Sequence, residues 1–324
     1  MVKTNRMNLK SFLDKYEILA DSQSFVGAYR KGVKKRCKFC GKTEPETTFK
    51  MKPHVISELF GKNNVTSNEE CDYCNNRFSR YESDLANFIS PYNSILGRKT
   101  KKKVPIFQSR KSGKNAPTTI RFTEGNPHIF WGKNLSDFTI DEEAGILSVR
   151  IQKKKYNPMN IYKMFSKIAI SLSPDSELSE MNATIHWILN EDRVALDIPP
   201  FVWRNRLFRK YFKTPSAVLH IRKPSKEDSK TYLPKYCLIV YTGNLIFQMF
   251  LPLINESIEN SDMGKELSLE IYPGFALDYD HRDFESRQKP IKVKFHTKDY
   301  LLDNYVPIEE DEMIHFKFDG IESG

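Results

Sequence analysis

Apolar side chains at Phe78, Tyr81, Leu85, Phe88 and Ile89 recur at the spacing of one helical face. They predict a helix that Asn75 caps and Pro91 stops. Asn75, Ser79 and Glu82 form a polar stripe beside that face. A second pattern, Ile161, Phe165, Ile168, Ala169 and Leu172, predicts a helix from about Pro158 to Leu172. A third helix is expected from about Ser176 to Asn190, before the break at Pro199-Pro200. Strand-like runs then follow at Ala217–Ile221, Tyr236–Tyr241, Leu245–Leu251, Leu267–Ile271, Ile291–His296 and Met313–Phe318, with Thr242-Gly243 reading as a hairpin turn. Upstream of the first helix, Thr47-Thr48-Phe49 and Val55-Ile56 favour strand, while Gly61 and Asn63-Asn64 mark a turn, so a short β-hairpin is expected there. The pattern is that of an α+β fold whose later part carries a mainly antiparallel sheet.

The length, 324 residues, suits about two domains. The longest apolar run, Leu245 to Ile254, is interrupted by Gln248 and falls short of the ~20 residues a membrane span needs. The first twenty residues hold no apolar stretch of signal-peptide type. A cytoplasmic protein with no membrane partner is the expectation. Charge sharpens this. Residues 1–150 hold 27 Lys/Arg and 16 Asp/Glu, a net of +11, which leaves 24 and 25, a net of −1, for residues 151–324. Such asymmetry points to a polyanion partner for the first half, nucleic acid before an anionic surface, unless it only solvates that half.

Four of the five cysteines are paired, as Cys37-x-x-Cys40 and Cys71-x-x-Cys74. Each such turn presents two sulfurs on one side of a tight loop, and four soft ligands satisfy a tetrahedral zinc ion. Two disulfides would need an oxidising compartment, which nothing here supports. A four-cysteine Zn2+ site closes its coordination shell, so the metal should hold the fold and do no chemistry. Cys237, in CLIVY, reads as a buried free thiol.

The order knuckle, β segment with one histidine (His54), knuckle, asparagine (Asn75), helix resembles the HNH endonucleases of the ββα-metal superfamily. The nearest likeness is the four-cysteine zinc subgroup, the endonuclease VII type and a bacterial branch with CxFCGK and CNN.F signatures. The likeness covers roughly residues 36–90. It implies a zinc-stapled ββα-metal module in which His54 is the general base and Asn75 a ligand of a catalytic Mg2+ or Mn2+. It further implies cleavage to a 5′ phosphate and a 3′ hydroxyl, in a defence or mobile-element context. The chemistry is reasonable: a neutral imidazole takes water's proton near pH 7, and a hard cation takes up charge on the phosphate. One departure stands out. The acid or histidine that precedes the family's base, a metal ligand there, is here Pro53. Glu82 or Glu58 could stand in, the metal could be held weakly, or catalysis could be lost.

The resemblance divides the chain into an N-terminal helical extension (1–30), the HNH module (31–97), a basic arm and linker (98–150) and an α+β domain of unknown role (151–324). Lys34, Lys35 and Arg36 precede the first knuckle, and Arg98, Lys99, Lys101, Lys102 and Lys103 open a stretch to Lys114 with eight Lys/Arg and no acid. Lysine-rich loops contact phosphates without reading bases, which suits DNA, with RNA less favoured by the resemblance. In the second half, DYDHRD (Asp278–Asp283) could bind a metal or be a solvated loop, and RNRLFRKYFK (Arg204–Lys213) could extend a DNA path or be a helix face. The resulting expectation is a metal-dependent DNA endonuclease, possible as a homodimer through its C-terminal domain. The alternatives are a zinc-dependent nucleic-acid-binding protein without catalysis and a nuclease gated by its C-terminal domain.

Overall fold

The computed structural model describes residues 9–25, 34–101, 103–110, 116–130, 137–190, 196, 198, 200–207, 211–224, 231–253, 266–273, 291–294, 308–309 and 311–317. Helices and antiparallel sheets mix, as an α+β fold requires. The chain opens with α1 (Leu9–Lys15) and β1 (Tyr16–Asp21), so the expected helical extension also supplies a strand. A 3-10 turn (Glu58–Phe60) and the long α2 (Asp72–Ile95) follow. Next come β2 (Phe107–Gln108), β3 (Thr119–Thr123), β4 (Asn126–Phe130), β5 (Phe138–Asp141) and β6 (Ile146–Gln152). The stretch read as arm and linker therefore carries five strands among its described residues. Its pattern is masked because β4 and β5 are mostly exposed and show no alternation. The helices α3 (Pro158–Leu172) and α4 (Asn182–Leu189) stand where the periodicity predicts. The remaining strands are β7 (Phe201–Arg206), β8 (Phe212–Arg222), β9 (Thr231–Tyr232), β10 (Tyr236–Gly243), β11 (Leu245–Phe250), β12 (Glu266–Leu267), β13 (Ile291–Lys294) and β14 (Asp311–Lys317). Among the described residues no helix is long and apolar enough to cross a membrane.

A six-stranded antiparallel sheet, in the order β1-β8-β10-β11-β7-β13, forms the floor of the molecule. β10 shows why its sequence is apolar throughout. Tyr236, Leu238 and Val240 join the core on one face, and Cys237 and Ile239 join a second core on the other, with Phe12, Tyr16 and Trp203. A strand covered on both faces needs no polar alternation. β10 and β11 meet in a hairpin whose Gly243 takes φ +58°, the left-handed region that glycine enters without strain.

α3 lies between that sheet and α2. Asn157 caps it by accepting the Met159 N–H at 2.9 Å, and Pro158 starts it. Nearly every α3 residue is buried, including Lys163 and Lys167. One apolar core runs without interruption from Cys37 and the α2 face through α3 to the sheet. Its centre is aromatic: Phe60, Phe165 and Phe247 lie 5.4–6.0 Å apart, and Phe88 stands 6.2 Å from Phe247. The expected boundaries at 97/98 and 150/151 fall inside this shared packing, and the one at 30/31 lies outside the described residues.

Two expectations about α2 are corrected. The helix begins at Asp72, with Cys71 as its cap residue, so Asn75 lies within its first turns. The reason is local: Asp72 donates its N–H to Thr48 O, and its carboxylate accepts from Thr48 Oγ1, Lys50 N and Met51 N, which starts the helix at the knuckle. Slight burial opposes the charge on Asp72, but those bonds prevail and hold its carboxyl below the ordinary range. The helix also runs through Pro91 to Ile95, because Tyr92 and Ile95 bury in the core and Asn93 Nδ2 donates to Leu59 O at 2.8 Å. Tertiary contacts outweigh the lost backbone bond. RNRLFRKYFK is no helix face: Arg204 and Arg206 lie on β7, and buried Arg204 pairs with Glu312 at 2.6 Å. Residues 208–210 of that stretch, and the DYDHRD cluster, lie outside the described residues.

Candidate metal centre and active site

The two knuckles close on each other by backbone bonds. Gly41 N reaches Cys37 O at 2.8 Å, with Gly41 at φ +71°, and Cys37 N reaches Lys42 O at 2.9 Å. Lys38 N donates to Glu69 O at 2.7 Å, which brings the second knuckle onto the first. Cys71 and Cys74 flank the start of α2, one turn apart. The result gathers the sulfurs of Cys37, Cys40, Cys71 and Cys74 within 4.8 Å of one another, with Cys40 and Cys71 at 3.7 Å. Zn–S bonds of about 2.3 Å place tetrahedral sulfurs about 3.8 Å apart, so the set fits zinc. Crowding also makes the thiols unequal. A hydrogen bond from Cys74 draws Cys37 down to about 5, the same bond pushes Cys74 up, and burial pushes Cys40 up to about 11. Cys237 is buried far from this set, in the second core.

His54 lies in an irregular hairpin. It bridges Thr66, with Val55 N to Val65 O and Ser67 N to Pro53 O, both 2.9 Å, on either side. Asn63 fixes the imidazole. Its Nδ2 donates to Ile56 O and Gly61 O at 3.0 and 3.1 Å, and its Oδ1 accepts from Val65 N at 3.1 Å. That network leaves the amide one orientation, with Oδ1 3.4 Å from His54 Nδ1. An acceptor there suits a proton on Nδ1. Nε2 lies 3.6 Å from Glu58 Oε2. Asn63 was legible in the sequence only as a turn residue, because its role depends on folding back over the hairpin.

The remaining expected ligands are less converged. Glu82 lies two turns down α2 from Asn75, and its Oε1 accepts from Ser57 Oγ at 3.1 Å, the residue before Glu58. Asn75 Nδ2 donates to Met51 Sδ at 3.4 Å. Among the described residues, the four cysteines are the one group of three or more His, Cys, Asp or Glu ligands close enough to share an ion. Glu58 is the carboxylate at His54, and a hydrated Mg2+ asks for one or two carboxylates. Among the described residues Glu58 is thus the one acid in contact with His54, while Asn75 and Glu82 bond Met51 and Ser57 instead.

The basic residues divide. Lys34, Lys35 and Arg36 line a cleft of about 670 Å³ beside the first knuckle, shared with the acids Glu69 and Asp175. Lys99, Lys101 and Lys103 are exposed, and Lys102 lies outside the described residues. Arg98 is corrected: it is 4% exposed and bonds Thr242 Oγ1 and Phe212 O, because it fills the joint between the hairpin and the β10–β11 turn. It is withdrawn from the phosphate-contacting set. Exposed Lys62, which the sequence did not single out, sits beside the arm through its N–H to Lys99 O at 3.1 Å.

No curated protein and no solved structure matches this chain. Residues 37–86 do match a family model, that of the HNH endonucleases. The match begins at Cys37 and ends on α2 just past Glu82, so the stretch similar to HNH endonucleases takes in the candidate four-cysteine zinc site and His54.

Proposed function

We propose that the protein is a metal-dependent endonuclease that hydrolyses DNA phosphodiester bonds. The observation that carries the reading is the imidazole of His54, with Asn63 Oδ1 at its Nδ1 and the Glu58 carboxylate at its Nε2. His54 Nε2 takes a proton from water, the water oxygen bonds to phosphorus, the P–O3′ bond breaks, and the leaving 3′ oxygen takes a proton from solvent, giving a 5′ phosphate and a 3′ hydroxyl. A divalent cation, when bound, offsets charge on the phosphate and the leaving oxygen. Glu58, with Asn75 and Glu82 as neighbours, is the donor for it, which answers the loss of an acid at Pro53. Cys37, Cys40, Cys71 and Cys74 hold a structural zinc. One site cuts one strand, so a double-strand break needs two copies or two events.

Supercoiled plasmid is expected to be nicked with added Mg2+ or Mn2+ and to stay intact without either. Glu58→Gln should raise the Mg2+ concentration needed for half-maximal nicking by at least about 10-fold. An unchanged requirement would take Glu58 out of the metal site. Absence of nicking by zinc-loaded wild type in both metals would favour the reading Pro53 motivates, a binding protein without catalysis.

Lys62 and Lys99 stand on the hairpin side of the basic arm and serve as phosphate contacts. Replacing both with Gln should lower the slope of log affinity against log salt by about 2 for any DNA sequence. A slope equal to wild type in filter binding would place the DNA elsewhere.

A further inference from the structure

We infer that Lys167, far outside the HNH segment, is a positioning residue for His54, so that the second half of the chain completes the cutting site. The inference rests on His54 being the general base. In the hairpin, the flanking bonds at Val55 and Pro53 leave the His54 carbonyl pointing away from its bridge partner Thr66. Lys167 Nζ, from α3, donates to that carbonyl at 2.6 Å. The same ammonium lies 2.9 Å from Glu70 Oε2, on the residue before the zinc-site Cys71. Both side chains are withdrawn from water, at 5% and 0% exposure, and the ring of Phe78 stands 5.9 Å away. Burying an ammonium and a carboxylate is costly, so an apolar pair would serve packing alone at least as well. What the ion pair adds is direction. One cation fixes the peptide plane at His54 and ties it to the second knuckle. Asn63 then sets the ring on that fixed backbone. An error of about 1 Å in a reacting group costs about 100-fold in rate.

Lys167→Met alone leaves the Glu70 carboxylate buried without its cation, so the decisive variant is the full-length double change Lys167→Met with Glu70→Gln, which removes both charges at similar volume. Lys167→Arg keeps the charge and a donor. The measurements are zinc content, thermal unfolding, plasmid affinity, nicking rate at saturating DNA, and the His54 ring signal in a histidine-labelled NMR spectrum. The double variant should keep its zinc and bind plasmid within about 2-fold of wild type. Its maximal nicking rate should fall about 10- to 100-fold, the His54 signal should shift, and Lys167→Arg should recover part of both. A folded, zinc-loaded double variant with the wild-type maximal rate overturns the inference. So does a His54 signal that does not move, whether or not wild type nicks. A wild type that never nicks, with a His54 signal that still moves in the variants, defeats the nuclease reading and upholds the tie between α3 and the histidine.

Discussion

Replacing His54 with alanine is expected to lower plasmid nicking by about 10²- to 10⁴-fold, the usual range for losing a general base, while the protein stays folded. The two halves of that expectation have separate origins. The side chain is 27% exposed and belongs to neither apolar core, so its loss opens no cavity. The backbone it sits on is held by bonds that alanine keeps: the bridge to Thr66 and the carbonyl contact from Lys167. What alanine removes is the imidazole itself, the proposed base. Zinc content and melting temperature should match wild type, and plasmid binding should survive. An alanine variant that nicks at the wild-type rate removes His54 from the chemistry.

The largest structural effect belongs to the zinc set. Cys71→Ser is expected to abolish tight zinc binding, taking the metal from one per chain to near none, and to melt the segment from Arg36 to the first turns of α2. Cys71 is fully buried, is the cap residue of α2, and carries the sulfur 3.7 Å from Cys40. Structural zinc sites in small modules contribute on the order of 10 kcal/mol of folding free energy, comparable to the whole stability of a domain. Beneath the knuckles Phe39 packs against Phe78 at 4.8 Å, at the end of the core that runs on through α3. Cys237→Ala serves as the control: its thiol lies in the second core, so zinc stoichiometry should not change. Metal analysis of the purified variants decides. Zinc retained at one per chain in Cys71→Ser would mean that the four thiols do not form one site.

What the sequence exposed was whatever depends on short-range pattern. The knuckle spacing, the position of His54, α3 and the strands β8, β10 and β11 all follow from local chemistry, and each stands where that chemistry puts it. The misreadings share a cause, a long-range partner. Asn75 looked like a cap because asparagine caps helices, but Asp72 meets the Thr48–Met51 loop and starts the helix earlier. Pro91 looked like a stop, but Asn93 and Ile95 had partners waiting. Arg98 looked like one more cation in a basic run until Thr242, 144 residues on, took its guanidinium. Asn63 and Lys167 carried no signal of these roles, since an asparagine in a turn and a lysine on an amphipathic helix are ordinary until the fold aims them at His54.

The burial of α2 against elements made much later bears on how such a protein is synthesised. A ribosome that has finished about 150 residues has made every cysteine of the zinc set, and His54 as well. It has not made α3, α4 or the sheet that covers Phe78, Tyr81, Leu85, Phe88, Ile89 and Tyr92. Left in water, six such side chains forgo about 9–18 kcal/mol of burial, as much as or more than a domain's net stability. A product terminated there therefore carries His54 and the four cysteines on a fragment that cannot hold its shape, and quality control meets a sticky, degradable stump. The stretch that resembles a nuclease is made before the elements that hold it in shape.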